Sequence, residues 1–355
     1  MNRLEKMFQA AGLGPDEGVL IHKPSNMFYL SGYTGEGLLA VGHGFQAIVT
    51  DFRYTEQVTR QAPGFEACQI RTGQSHAALA AQILGDHGID TVRYEADEVT
   101  VAAFEHMKRD MPGMTFIPLN GEPEKVRRIK DESELSLIRE ACDISCKALT
   151  NILGQIREGM TEIDIRIALE FEMLRLGGDG LAFSTIVASG DNGSLCHAIP
   201  GPRKIRKGDM ITMDFGALKG GYCADMTRTV ALGEPDPKMK EIYSIVLDAQ
   251  KTAEAALHAG VTGDSVDKIA RDIIGGAGYG DYFGHGLGHS VGIDIHESPR
   301  LSPTCHDILT ENTTMTVEPG IYIPGLGGVR IENTCIIGKD SSESLVWFEK
   351  ELLIL

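Results

Sequence analysis

The chain has 355 residues, 42% of them hydrophobic and 23% charged, with a formal net charge of −17. That length exceeds what one hydrophobic core usually organises, so two domains are expected, and the acidity argues against nucleic acid or an anionic membrane surface as a partner. Seven cysteines without C-x-x-C spacing read as reduced thiols; with no signal-peptide core and no apolar run near the ~18 residues of a membrane span, a soluble cytoplasmic protein is expected.

An amphipathic helix opens the chain in MNRLEKMFQAAGLGPDE. Strand-like GVLIH and GLLAVGHGFQAIVTDF follow, then a helix from about Tyr54, FEACQI, a helix from about Ser75, TVRYEA and a helix near 100–109. Strands alternating with helices of this length predict an α/β layer domain over residues 1–122. Its histidines (His22, His43, His76, His87 and His106) show no ligand spacing and read as filler. The Pro-containing stretch MPGMTFIPLNGEPEKVRR reads as the connection to a second domain, 123–355.

Asp131-x-x-Glu134 resembles a capping box and opens a long helix with apolar positions at 135, 138, 142, 149, 152 and 156. Thr161-x-x-Asp164 starts a second helix that runs to Gly177-Gly178. The same grammar returns with a helix over about 237–259 and another from Thr262 to near Gly275-Gly276. Gly159-Met160-Thr161 and Gly260-Val261-Thr262 are offset by 101 residues. Asp214 and Glu318 are offset by 104, and Asp225 and Glu332 by 107. These offsets predict an internal duplication in which each half brings one pair of acids to a shared centre.

Those acids lie in MITMDFGALKGGYCADMTRT (210–229) and TMTVEPGIYIPGLGGVRIENT (314–334). A hairpin turning at Lys219-Gly220 would set Asp214 directly opposite Asp225, with Cβ atoms ~5 Å apart, which is unfavourable for like charges. Glu318 and Glu332 flank a turn near Gly325 in the same manner. Carboxylates aimed inward in pairs require cations between them. Four acids and an imidazole suit Mn²⁺, Co²⁺, Fe²⁺ or Zn²⁺, and so many acids favour the harder ions and two metals over one. The loop FGHGLGHSVGIDIHE (283–297) offers His285, His289 and His296, and its glycines exclude the H-E-x-x-H helix. His197 lies in SGDNGSLCHAIP (189–200), a segment suited to lining a cleft. Cys196 and Cys223 read as small fillers. No G-x-S-x-G elbow, P-loop or dinucleotide fingerprint is placed where it could act.

With MDFGA and GYCADMTRT, GHGLGHSVGIDIHE, TVEPGIY and GGVRIENT in this order and spacing, the chain resembles the metallopeptidases that include methionine aminopeptidase, prolidase and aminopeptidase P. The resemblance extends over the leading domain, with TDFRYTEQ at 50–57, and over the IKDESELSLIREA helix. It implies an α/β (α+β) architecture: a creatinase/prolidase-like N-terminal domain, then a pita-bread catalytic domain with internal pseudo-two-fold symmetry. It makes Asp214, Asp225, His289, Glu318 and Glu332 the ligands of two divalent ions, manganese first, with Asp225 and Glu332 bridging. Glu318 would also handle a proton, His197 and His296 would contact the substrate carbonyl, and His285 and Arg330 would shape the pocket and position the substrate.

The leading domain and Arg330, two residues before Glu332, point to the proline-specific branch. Cys196 departs from the proline found there in many relatives. The expected activity is hydrolysis of the bond between an N-terminal residue and a following proline, by a hydroxide shared between the metals in a homodimer. Xaa-Pro aminopeptidase ranks ahead of Xaa-Pro dipeptidase, and a metal-free creatinase-like hydrolase or a non-catalytic binding module is a more distant alternative.

Overall fold

Hydrophobic strands and side-chain-capped helices alternate from the first residues. The computed structural model describes all 355 residues, in two compact units, 1–127 and 128–355. The division falls shortly after the expected boundary between 122 and 123.

In the first unit, α1 (Arg3–Ala11) is closed by a capping box between Asn2 and Glu5. The strands are β1 (Glu17–Ile21), β2 (Leu38–Gly42), β3 (Phe45–Thr50), β4 (Glu66–Gln69), β5 (Thr91–Glu95) and β6 (Thr115–Leu119). They form one mixed sheet in the order β4-β3-β2-β1-β5-β6, antiparallel at β1–β2 and β2–β3 and parallel elsewhere. Leu20, Leu38, Ala40, Val49 and Val92 meet Leu84 and Met107 from the helices α4 (His76–Asp86) and α5 (Val101–Asp110) in its core. Such continuous apolar runs mark strands covered on both faces.

Two features depart from the sequence reading. Pro24–Ser31 forms a helix, α2, whose own N-cap residue, Lys23, makes no capping bond through its side chain. The cap comes instead from Glu95, which accepts from His22 N (2.6 Å), Lys23 N (2.8 Å) and Asn26 Nδ2 (2.6 Å), so local sequence carries no start signal. The stretch read as a connection supplies the edge strand β6 and a short helix, α6 (Glu122–Arg127). Thr55–Gln61 is α3.

The second unit opens with α7 (Glu132–Leu153) and α8 (Glu162–Arg175), closed by Asp131–Glu134 and Thr161–Asp164 capping boxes. After β7 (Gly180–Leu181) come β8 (Ile186–Ser189), β9 (Met210–Phe215), β10 (Ala217–Lys219), β11 (Tyr222–Cys223) and β12 (Met226–Ala231). The second helical pair is α9 (Pro237–Ala255) and α10 (Gly263–Gly276). It is followed by β13 (Gly288–Ser290), β14 (Glu297–Leu301), β15 (Thr314–Val317), β16 (Gly320–Ile323), β17 (Gly327–Arg330), β18 (Asn333–Ile337) and β19 (Ser342–Ser344).

Each helical pair packs on its own strand set. One core joins Leu149, Ile165 and Leu169 to Met213, Phe215 and Val230; the other joins Ile242, Val246 and Ile274 to Met315, Val317 and Val329. The duplication is visible bond by bond. Gly159 N donates to Ile205 O as Gly260 N does to Leu309 O, and Ile205 N to Met160 O as Leu309 N does to Val261 O. No helix is long and apolar enough to cross a membrane.

Candidate metal centre

The first acid pair is offset from the expected register. The β9–β12 ladder pairs Phe215 with Met226 and Asp214 with Thr227, and the β10–β11 hairpin continues the same register. The turn sits at Gly220-Gly221, both at positive φ (55° and 82°), which two-residue hairpin turns of this kind demand. Turning one residue later than expected moves the cross-strand partner by two. Asp225 therefore falls on the diagonal from Asp214, on the same face, typically ~7–8 Å away rather than ~5 Å. Room opens between the two acids.

The second pair keeps the expected register. Both β16–β17 and β15–β18 follow one frame centred on Gly325, in which Glu318 stands across from Glu332. The ladder parts at this point. Glu318 N donates to Leu287 O (2.8 Å) and Glu332 N to Thr227 O (3.1 Å), so each acid is tied to a neighbouring strand, and Glu332 is brought against β12.

His289 stands in β13, at a register shift where β13 pairs with β14. Its Nδ1 lies 3.1 Å from Ser290 O. A carbonyl only accepts, so Nδ1 carries the proton and Nε2 presents a bare lone pair. That nitrogen faces Glu318 Oε1 at 3.3 Å and Asp225 Oδ2 at 3.5 Å. Acceptor against acceptor is repulsive unless a cation stands between them.

The carboxylates give the same indication. Ligand atoms of Asp225, His289 and Glu332 all lie within 4.8 Å of one another, and all three residues are buried. Asp214 Oδ1 and Glu332 Oε1 are buried without a donor, a costly state for a carboxylate. Burial, then the charges of the neighbouring acids, pushes the carboxyls of Asp225 and Glu332 well above the usual range. Burial raises Asp214 too, against the pull of Arg330. Burial would also raise Glu318, but the basic side chains around it, Arg330 among them, hold it low. Orphaned oxygens, a bare imidazole nitrogen and mutually repelling acids are what a divalent-metal site requires; the residues fit.

Around them runs a second layer of contacts. Arg330, buried, donates to Asp214 Oδ2 (2.6 Å), Tyr322 Oη (2.8 Å), Cys196 O (3.2 Å) and Thr227 Oγ1 (3.2 Å). Thr227 Oγ1 in turn donates to Glu332 Oε2 (2.7 Å). His285 has Nδ1 2.8 Å from Gly286 O and Nε2 3.0 Å from Tyr322 Oη, so its ring nitrogens are engaged within the protein, and burial lowers its pKa. His296 is more exposed and stacks edge-on against His289, with ring centroids 4.5 Å apart. Burial, then the neighbouring His289 and Arg300, lowers its pKa.

A cleft of about 370 Å³ brings together His197, Asp214, Asp225, His285, His289, His296, Glu318, Arg330 and Glu332. Phe183, Ile186, Ile295, Arg300 and Ser302 also line it. A wider groove of about 1020 Å³ in the first unit, lined by Phe8, His43, Phe45 and His87 among others, gathers no comparable set of ligating groups. Tyr322 and Arg300 escaped the sequence reading. Strand parity could have found Tyr322, because 318, 320 and 322 share a face opposite 328, 330 and 332. Arg300 lies on an exposed strand edge with no local signal.

Fold and site together define a metal-dependent hydrolase built on a duplicated α/β scaffold. Residues 136–339 match the profile of Metallopeptidase family M24, and residues 1–129 that of the Creatinase/Prolidase N-terminal domain. The Xaa-Pro dipeptidase of Pyrococcus horikoshii is 35% identical over 99% of this chain and 98% of its own length. Among solved structures, an Xaa-Pro dipeptidase from Bacillus anthracis superimposes with a TM-score of 0.95 at 39% identity, over 99% of each chain. An X-Pro aminopeptidase from Thermotoga maritima gives 0.91 at 35% identity, over 98% of this chain and 100% of the other. The chain belongs to metallopeptidase family M24, and it is a peptidase of the proline-specific, pita-bread type. Divalent metal ions follow from that membership.

Proposed function

We propose that the chain is an Xaa-Pro dipeptidase, reversing the order in which the sequence alone ranks the aminopeptidase and the dipeptidase. The observation that carries this is likeness over essentially the whole chain to proteins named Xaa-Pro dipeptidase, one of them at a TM-score of 0.95. The cleft agrees with it. Arg300 lines the wall beside His296 and makes no salt bridge or hydrogen bond through its guanidinium. A free cation there suits the C-terminal carboxylate that a dipeptide places one residue beyond the scissile bond.

Asp214, Asp225, His289, Glu318 and Glu332 would hold two divalent ions, manganese first among the candidates and cobalt, zinc or iron behind it. When bound, such a pair supplies Lewis acidity at the scissile carbonyl and lowers the pKa of water. Glu318, held ionised, accepts the proton of the attacking water and returns it to the departing proline nitrogen. His197 and His296 donate to the carbonyl oxygen as its charge grows. Phe183, Ile186 and Ile295 give apolar walls suited to the pyrrolidine ring. Arg330 acts through Asp214 and the Cys196 carbonyl, which take its donors. A homodimer, which the family resemblance supports, and a cytoplasmic location, which seven free cysteines suit, complete the reading.

The test pairs an Xaa-Pro dipeptide with an Xaa-Pro-Yaa tripeptide on protein stripped of metal and reloaded with Mn²⁺. Cleavage of the dipeptide alone is expected; equal or faster release from the tripeptide would return the aminopeptidase to first place. Arg300→Gln should raise KM for the dipeptide by ~10–100-fold, the worth of one charge-assisted contact of about 1.5–3 kcal/mol, with a smaller change in kcat. An unchanged KM would remove Arg300 from the site.

A further inference from the structure

His197 is exposed at the cleft, and its ring makes no hydrogen bond within the protein, whereas the rings of His285 and His289 do. Its placement is therefore inherited from the backbone of the loop between Ser189 and Gly201. That loop leaves β8, makes a 3₁₀ turn over Gly190–Ser194 and returns toward the start of α8.

Glu162, the first residue of α8, is completely buried and reaches both ends of this loop. Its Oε1 accepts from Ser189 N (2.8 Å), Ser189 Oγ (2.8 Å) and Asn192 Nδ2 (3.1 Å); its Oε2 accepts from Gly201 N (3.0 Å). Every one of these partners is a donor, so only a carboxylate satisfies them all. Elsewhere the loop is seated by close backbone approach, since a Cβ on Gly328 would stand 2.1 Å from Gly193 O. Arg330 pins it once more at Cys196 O, one residue before the imidazole.

The second half of the duplication solves the same problem with a different residue. Buried Asp267, early in α10, accepts from Leu287 N (3.0 Å) and holds Arg271, which donates to Phe283 O and His285 O. In each half, a buried acid near the start of the second helix braces the histidine-bearing loop.

We propose that Glu162 is a positioning residue for catalysis: its buried carboxylate clamps both ends of the loop that carries His197 and thereby sets where that imidazole meets the scissile carbonyl. The proposal rests on the peptidase reading, in which His197 touches the substrate. A glutamine at 162 keeps the shape but turns an N–H toward a backbone N–H, of either Ser189 or Gly201, whichever way the amide is oriented. One end of the loop is then released.

The experiment is a double-mutant cycle on the metal-loaded enzyme, using an Xaa-Pro dipeptide well below the melting temperature of each variant. His197→Ala should lower kcat by ~10²-fold, as for loss of one oxyanion donor. Glu162→Gln should lower kcat by ~10-fold, the scale of a sub-ångström misplacement, with KM and bound metal unchanged. In the His197→Ala background Glu162→Gln should add almost nothing. A Glu162→Gln loss of the same size in both backgrounds, or wild-type kcat in Glu162→Gln, overturns the proposal while leaving the peptidase reading intact. Full kcat in His197→Ala overturns the role given to His197, and the proposal with it. Should Glu162→Gln not fold, Asn192→Ala removes one donor and keeps the carboxylate. It should give a smaller fall in kcat that His197→Ala again silences, and a fall that persists there overturns the proposal.

Discussion

Glu332→Gln should lower turnover on the order of 10³-fold, the scale of losing a principal electrostatic element of a site, and reduce bound metal below the wild-type stoichiometry. Glu332 accepts from Thr227 Oγ1 at Oε2 while its buried Oε1 has no donor, and its carboxyl is pushed up by burial and then by Glu318 and Asp214. The same facts give an opposite expectation for protein stripped of metal. A carboxyl whose folded pKa is raised contributes stability below its unfolded pKa of about 4.3 and loses it as pH rises through the folded value. Glutamine does not titrate. Stripped Glu332→Gln should therefore melt above the stripped wild type near pH 8, with the gap closing toward pH ~4. Metal should reverse the order at pH 8 by stabilising only the protein that binds it tightly. Equal melting of the two stripped proteins across that range, with equal metal content, would sink the view that these acids are arranged for cations.

What the sequence made legible follows from where each signal resides. The duplication was readable because its markers are local: capping residues at Thr161 and Thr262 and glycines at 159 and 260 recur at one offset, and the structure repeats the same backbone bonds there. The Glu318–Glu332 register was readable because a single turn fixes it. The Asp214–Asp225 register was misread because two glycines adjoin Lys219, and a one-residue choice of turn moves every partner by two. Helix α2 was invisible because its cap, Glu95, lies far away in the chain. Glu162 was hidden for the same reason. In sequence it is an ordinary acid in a first turn, where acids are common, and only the folded chain shows that it receives donors from both ends of a distant loop. The choice between aminopeptidase and dipeptidase is not legible in the sequence for a related reason: it depends on what the folded cleft leaves open to a longer peptide, which overall length and the TDFRYTEQ stretch do not report.

Arg228→Met should destabilise the metal-loaded protein by ~3–5 kcal/mol, from five acceptors losing their donor at once, a fall in Tm of roughly 10 °C. The side chain is almost wholly buried and makes no salt bridge. Its guanidinium donates instead to Glu349 O, Thr227 O, Glu332 O, Asn333 Oδ1 and Phe348 O. It thus joins β12, the start of β18 and the C-terminal segment in one bond set, and burial lowers its pKa. Lysine offers three donors from a single point and cannot span carbonyls that a planar fork reaches on separate edges, so Arg228→Lys should recover only a minor part of the loss. Because one of the carbonyls belongs to Glu332, metal affinity should weaken in both variants even where they remain folded. Calorimetric melts at saturating Mn²⁺ and a metal titration at low temperature separate the two effects. A melt for Arg228→Met within about 2 °C of the wild type would mean that backbone pairing alone aligns the two halves of the site, and that the buried cation is dispensable.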